Sequence, residues 1–243
     1  MRMLAFARRN LMELIRDPLT LFFGAAFPLV LLGLLSAIQR SVPVPLFEIN
    51  ALTPAIAVFG QSFLTLFAAL LIAKDRASAL TQRLMASPMT GADFMLGYAL
   101  PLLPLALLQA LLCLLAGAPL GFSLAHLPGT LAVLMVSALF YIALGLLFGS
   151  LLNEKQVGGV CGALLTNLSA WLSGIWFDVR LVGGAFAAVA NALPFLHAVE
   201  AARAAAVGRT GVWGHLLPVA GCAAALLAVA AWAFLRRMRG GKR

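Results

Sequence analysis

The sequence predicts an all-α fold that crosses a membrane several times, and three observations predict it. Of its 243 residues, 63% are hydrophobic and 10% charged, whereas a soluble domain is about half apolar and a quarter charged. Apolar runs of about twenty residues recur along the whole chain, and a helix of that length crosses a hydrocarbon layer roughly 30 Å thick. The alternating ten-residue pattern of outer-membrane strands is missing. The net charge of +9 would suggest nucleic acid in a soluble protein. Here the basic residues sit beside the apolar runs, which the positive-inside rule explains without a nucleic-acid partner.

The first element is amphipathic. In RMLAFARRNLMELIRDP, Met3, Leu4, Ala7, Leu11, Leu14 and Ile15 share about 120° of a helical wheel, and Arg2, Arg8, Arg9, Glu13 and Arg16 fill the rest. Residues 1–17 therefore read as a helix lying on the inner membrane face with its cations near headgroups. Asp17 followed by Pro18 is an N-cap with a first-turn proline, so a new helix starts there at a sharp bend. Six spans follow, at about 19–38, 53–73, 94–116, 129–152, 158–176 and 215–235. Gly158, Gly159 and Gly162 open the fifth and allow close approach of another helix, from this chain or a second copy. Between the last two spans, ANALPFLHAVEAARAAAVGRTG holds an Ala-rich helix that starts after Pro194 and ends at Gly208, too short and polar to span alone. It reads as an external or re-entrant helix sheltered by the bundle.

Orientation follows from Lys and Arg. The segment before the first span, residues 74–93, residues 153–157 and the tail 236–243 together hold thirteen; the other three connections hold four. The thirteen belong in the cytoplasm, which puts both termini inside and makes 74–93 a cytoplasmic loop. That loop carries KDRASALTQRLMASPMTGADF. On a wheel Ala77, Leu80 and Leu84 form a narrow apolar stripe flanked by Arg76, Arg83 and Ser87, and Ser87-Pro88 stops the helix. Such a ridge suits docking of a cytosolic partner; lying on lipid headgroups is the other reading.

Residues that could carry chemistry are few. No HExxH, GxSxG or phosphate-loop motif occurs. Cys113, Cys161 and Cys222 fall inside apolar runs with no metal or disulfide spacing. His197 and Glu200 stand three apart and could share a metal in an intramembrane enzyme, or Glu200 pairs locally with Arg203. Gln61 and Thr65 in the second span, and Thr166, Asn167, Ser169 and Ser173 in the fifth, either line a path or join helices by hydrogen bonds. No Asp, Glu, Lys or Arg falls inside the expected spans, which argues against an ion-coupled carrier. Energy for uphill transport would come from outside the chain; a scaffold that only recruits a partner is a further alternative.

Four segments resemble a known family, the membrane-spanning permease subunit of ABC-2-type (ATP-binding-cassette) exporters. They are RNLMELIRDPLTLFFGAAFPLVLLGLL, DRASALTQRLMASPMTGADFMLGYAL, the short loop in LLNEKQVGG, and ALPFLHAVEAARAAAVG. They stand in the family's order. This chain departs from many members by carrying Asp75, Ala77, Ser78 and Ala79 where those have Glu and Gly. The resemblance implies a bacterial cytoplasmic-membrane exporter of two permease copies, or two similar ones, driven by separate ATP-binding subunits. ATP and magnesium would be bound there and no cofactor in this chain. It implies that Arg76, Leu80, Arg83, Leu84, Ser87 and Pro88 seat in a groove of the ATPase, with Arg9 and Glu13 of the first helix beside them. The sparse polar lining favours an amphipathic or apolar cargo.

Overall fold

A computed structural model of the chain describes residues 2–42, 44–78 and 90–240. Every regular element among them is helical. α1 runs Arg2–Arg16, α2 Pro18–Ser41, α3 Ile49–Ala77, α4 Gly91–Leu120 and α5 Leu127–Leu151. α6 covers residues 154–172, followed by α7 (Val179–Val182), α8 (Gly184–Ala192), α9 (Pro194–Ala206) and α10 (Val212–Gly240). Two stretches widen to π-helix, Phe22–Ala26 in α2 and Gly158–Leu165 in α6. The first immediately precedes Pro28, which lacks an N–H and crowds the carbonyl four residues back, so the ladder opens there. In the second, the Thr166 hydroxyl donates to the Cys161 carbonyl five residues earlier, at 3.0 Å.

Among the described residues, five helices are long and apolar enough to cross a membrane: Pro18–Ser41, Ile49–Ala77, Gly91–Leu120, Leu127–Leu151 and Val212–Phe234. A sixth crossing is available if Gly184–Ala192 and Pro194–Ala206, bent by 74°, count as one broken span or re-entrant loop. α6, the helix at the expected fifth span, starts and ends four residues earlier than expected and is not one of the five. Its polar first turn, Glu154, Lys155 and Gln156, lowers its apolarity. α9 starts at Pro194 and closes at Gly208. There φ of +66° suits glycine, and the Gly208 and Arg209 amides cap the carbonyls of Ala205 and Ala204.

The hub is α3. Of its most apolar window 89% is buried, against 22% for the corresponding windows of α2 and α10, so α3 runs inside protein while those two face outward. It is walled by α5, α4, α6, α9 and α2, and α10 packs on α5 and on α9. The α3–α5 seam is close because α5 presents Gly145 and Gly149. A Cβ at Gly145 would lie 2.5 Å from the Thr65 carbonyl oxygen, and one at Gly149 2.7 Å from that of Ala69.

One expectation needs correction. The polar loop expected at 74–93 begins later, since α3 continues to Ala77 and buries Asp75. Lys74, Arg76 and Ala77 thus belong to the end of the hub helix and not to a separate loop helix. α1 also packs against α4 within the protein, while Leu4 and Ile15 of its expected lipid-facing side stay exposed. Its buried face is Phe6, Ala7, Asn10 and Leu14. The cause is tertiary: the Phe6 ring fills the notch at Gly97 of α4, where a Cβ would clash with it.

The bend between α1 and α2 follows the Asp-Pro pair. The Asp17 carboxylate accepts from the Thr20 amide at 3.2 Å and from the Thr20 hydroxyl at 2.6 Å. The Thr20 hydroxyl, ahead of the backbone amides, holds this carboxyl below the usual carboxylate range. Its stabilisation is therefore present at neutral pH and fades as pH falls through that lowered value. Asp17→Ala is expected to lower stability by about 1 kcal/mol, measured by thermal unfolding in detergent at pH 7, with the difference from wild type shrinking in acid.

Candidate functional site

α3 ends and α4 begins at one end of the bundle, and the described residues there are tied down. On the α3 side, Asp75 sits with its side chain 3% exposed. Its Oδ2 accepts from the Arg9 guanidinium at 2.7 Å and from the Tyr98 hydroxyl at 3.1 Å. A buried carboxylate needs such partners. Arg9 comes from α1 and Tyr98 from α4, so one carboxylate joins three elements. Arg9 also bridges Glu13 at 3.0 Å and donates to the Asn10 side-chain oxygen at 2.8 Å. Partial burial works against the Arg9 charge, but the hydrogen bond and charge of Asp75, with Glu13 adding, raise its pKa above the ordinary value. Asn10, fully buried, donates to the Gly97 carbonyl at 3.0 Å and pins α1 to α4 a second time.

Next to this junction, Arg76 donates to the carbonyls of Gly149 and Leu152, at 2.7 and 3.1 Å. It caps the C-terminus of α5, where unpaired carbonyls carry negative partial charge. On the other side of the connection, Thr90 and Asp93 form a capping box at the start of α4, and Asn153 and Gln156 form one at the start of α6. Between α1, the start of α2 and the end of α3 lies an open groove of about 500 Å³, lined by Arg9, Met12, Glu13, Arg16, Asp17 and Lys74.

Of the residues expected to touch an ATPase, Arg9, Glu13 and Arg76 are thus together at this end, engaged with their own chain. Leu80, Arg83, Leu84, Ser87 and Pro88 lie outside the described residues. Asp75, Tyr98 and Asn10 are the functional candidates that sequence reasoning missed. The available signal was Tyr98, one of two tyrosines in the chain, because a phenol inside an apolar run must find a partner for its hydroxyl. The second, Tyr141, does the same, with its hydroxyl 2.6 Å from that of Ser169.

The polar residues of the spans sort by burial. Gln61 donates to the Leu134 carbonyl and Thr65 to the Tyr141 carbonyl, both at 3.0 Å, and so join α3 to α5. Thr166 and Ser173 bond to their own helix, and Ser169 bonds to Tyr141. These five are buried. Asn167 is exposed on α6 beside Leu164, Leu168 and Trp171 and donates to the Ala163 carbonyl at 2.8 Å. Gly158 and Gly159 have open space where a Cβ would be, while Gly162 faces Leu66.

At the opposite end of α3, Glu200 pairs with Arg203 at 3.0 Å, and Arg203 also donates to the carbonyls of Ala51 and Gly174. Arg203 therefore ties α9 to the start of α3 and to the turn after α6. His197 is directed elsewhere, to His215 of α10. Among the described residues no group of three His, Cys, Asp or Glu side chains is placed to hold a metal ion.

No curated protein matches the chain. The family model of the ABC-2 type transporter matches residues 1–207, from α1 through α9. With that match and a bundle of apolar, membrane-capable helices, the chain belongs to the ABC-2 type transporter family, as a membrane-spanning permease subunit of an ABC transporter.

Proposed function

We propose that this chain is the permease of an ATP-driven exporter in a bacterial cytoplasmic membrane, with both termini inside. A separate ATP-binding subunit docks on residues 76–88 and on the neighbouring face of α1. The observation that carries this reading is the Arg9–Asp75–Tyr98 junction. It ties α1 and both helices flanking the 79–89 connection into one unit that continues into the buried hub α3. A push on that connection is then transmitted to the centre of the bundle through packed, rigid elements instead of being absorbed at a soft joint. Exposed Lys74, Arg8 and Arg16 lie around the same end and suit an acidic rim on the partner.

Transport runs between two permease copies along the outward face of α6. Asn167 supports this: a polar amide exposed among Leu164, Leu168 and Trp171 is unfavourable against lipid and suited to a wet or partner-lined surface. Gly158 and Gly159, with nothing against them, suit the close approach of a second copy. Gln61, Thr65, Ser169 and Thr166 then support the path from behind. The cargo is amphipathic or apolar.

Leu84→Asp tests the coupling role. A charge at this apolar position is expected to reduce permease-stimulated ATPase activity and export by about tenfold or more, with insertion and folding of the permease unchanged. ATPase stimulation and export at wild-type levels would remove the docking role from residues 76–88.

A further inference from the structure

His197 of α9 and His215 of α10 meet ring to ring. Their Nδ1 atoms are 2.9 Å apart, their ring centres 5.2 Å apart and their planes inclined by 38°. His197 Nε2 lies 3.0 Å from the Asn191 carbonyl oxygen. A carbonyl only accepts, so Nε2 carries the proton and His197 Nδ1 presents its lone pair to His215. A histidine held through one nitrogen by a backbone carbonyl, with the other nitrogen aimed at a second imidazole, has the outer-shell support that metal-ligating histidines need.

We propose that His197 and His215 form a transition-metal site, for Cu2+ or Zn2+, that clamps α9 to α10. Two imidazoles on one tetrahedral ion, with metal–nitrogen bonds of about 2.0–2.1 Å, have ring centres about 5.2 Å apart and nitrogens about 3.3 Å apart. The ring centres here already stand at that separation. The nitrogens, 2.9 Å apart here, must separate by about 0.4 Å and the rings tilt to aim at a shared ion, a small side-chain adjustment. The proton on His215 Nδ1 shifts to Nε2 or leaves as the metal binds.

Access and charge set the strength of the site. His215 lines a cavity of about 790 Å³ together with Glu48 and Glu200, which opens this histidine to water and to ions. Arg180, Arg203 and Arg209 line the same cavity and work against a cation. With two protein ligands and water in the remaining positions, the site is open and weaker than a closed four-ligand structural site. Cu2+ binds more tightly than Zn2+ at such nitrogen ligands. The site is independent of the direction of transport and of where the ATPase docks.

Titration of the full-length chain in lipid nanodiscs with copper chloride, followed by tryptophan fluorescence, tests this. Trp213 stands two residues from His215 on α10. Its emission is expected to be quenched with saturation, and Trp213→Phe to remove most of that signal. His215→Ala and His197→Ala are each expected to weaken copper binding by about tenfold or more, and zinc chloride to compete in the wild type. If His197→Ala disturbs α9, His197→Gln, which retains a hydrogen-bonding side chain, must show the same loss. Equal copper affinity in the wild type and in folded His197→Gln and His215→Ala chains would place the ion elsewhere and overturn the site.

Discussion

Gly145→Leu is expected to destabilise the bundle by roughly 3–5 kcal/mol, combining the overpacking term for a tight core with the hydrogen bonds lost as the seam opens. The Cβ alone would lie 2.5 Å from the Thr65 carbonyl oxygen and 2.7 Å from the Ala68 side chain. The first of those atoms is backbone, so relief requires α5 to move off α3. That movement breaks the Gln61–Leu134 and Thr65–Tyr141 hydrogen bonds at once. Gly221→Leu on α10, where nothing lies within 4 Å of the added Cβ, should leave unfolding nearly unchanged. Thermal unfolding of the purified protein in detergent measures both. A Gly145→Leu chain that melts with the wild type would mean that the α3–α5 seam is not as close as described.

Asp75→Ala is expected to cost about 2–3 kcal/mol and to abolish ATPase stimulation. Breaking a buried pair generally costs about 3–5 kcal/mol because the remaining charge is stranded. Here the Arg9 side chain is 41% exposed, so water recovers part of that loss and the lower figure applies. Tyr98 loses its acceptor in the same step, and its hydroxyl stays buried. Asp75→Asn, which can still accept from Tyr98, should recover about half of the stability. Functionally, a junction without its carboxylate leaves α1 held to α4 by packing and by Asn10, with no charged tie to α3. Thermal unfolding and stimulated ATPase activity, measured on the same preparations, separate stability from transmission. Wild-type stimulation in a folded Asp75→Ala chain would mean that the junction has no part in coupling.

The sequence by itself determined the fold class, because hydropathy and length are properties of single segments. A run of about twenty apolar residues has few states open to it besides a helix in an apolar medium. The Asp17-Pro18 bend and the Pro194 start of α9 were legible for the same reason, since caps and prolines act within one turn. What hydropathy does not carry is whether the apolar medium is lipid or protein. The windows of Ile49–Ala77 and Val212–Phe234 have the same mean hydropathy, 2.1, yet 89% of the first is buried and 22% of the second. Only packing decided that α3 is the hub. Packing also decided the fate of the polar residues. Gln61 and Thr65 share a face in the sequence, but only the neighbouring α5 backbone made them helix-joining groups. Asp75 reads as a loop residue by its charge and its neighbours Lys74 and Arg76. It is buried because Arg9, 66 residues earlier, and Tyr98, 23 residues later, arrive to satisfy it. A lone segment in water or lipid could not hold that carboxylate. Three segments brought together can, and that long-range meeting is the part of this protein that its tertiary structure alone decided.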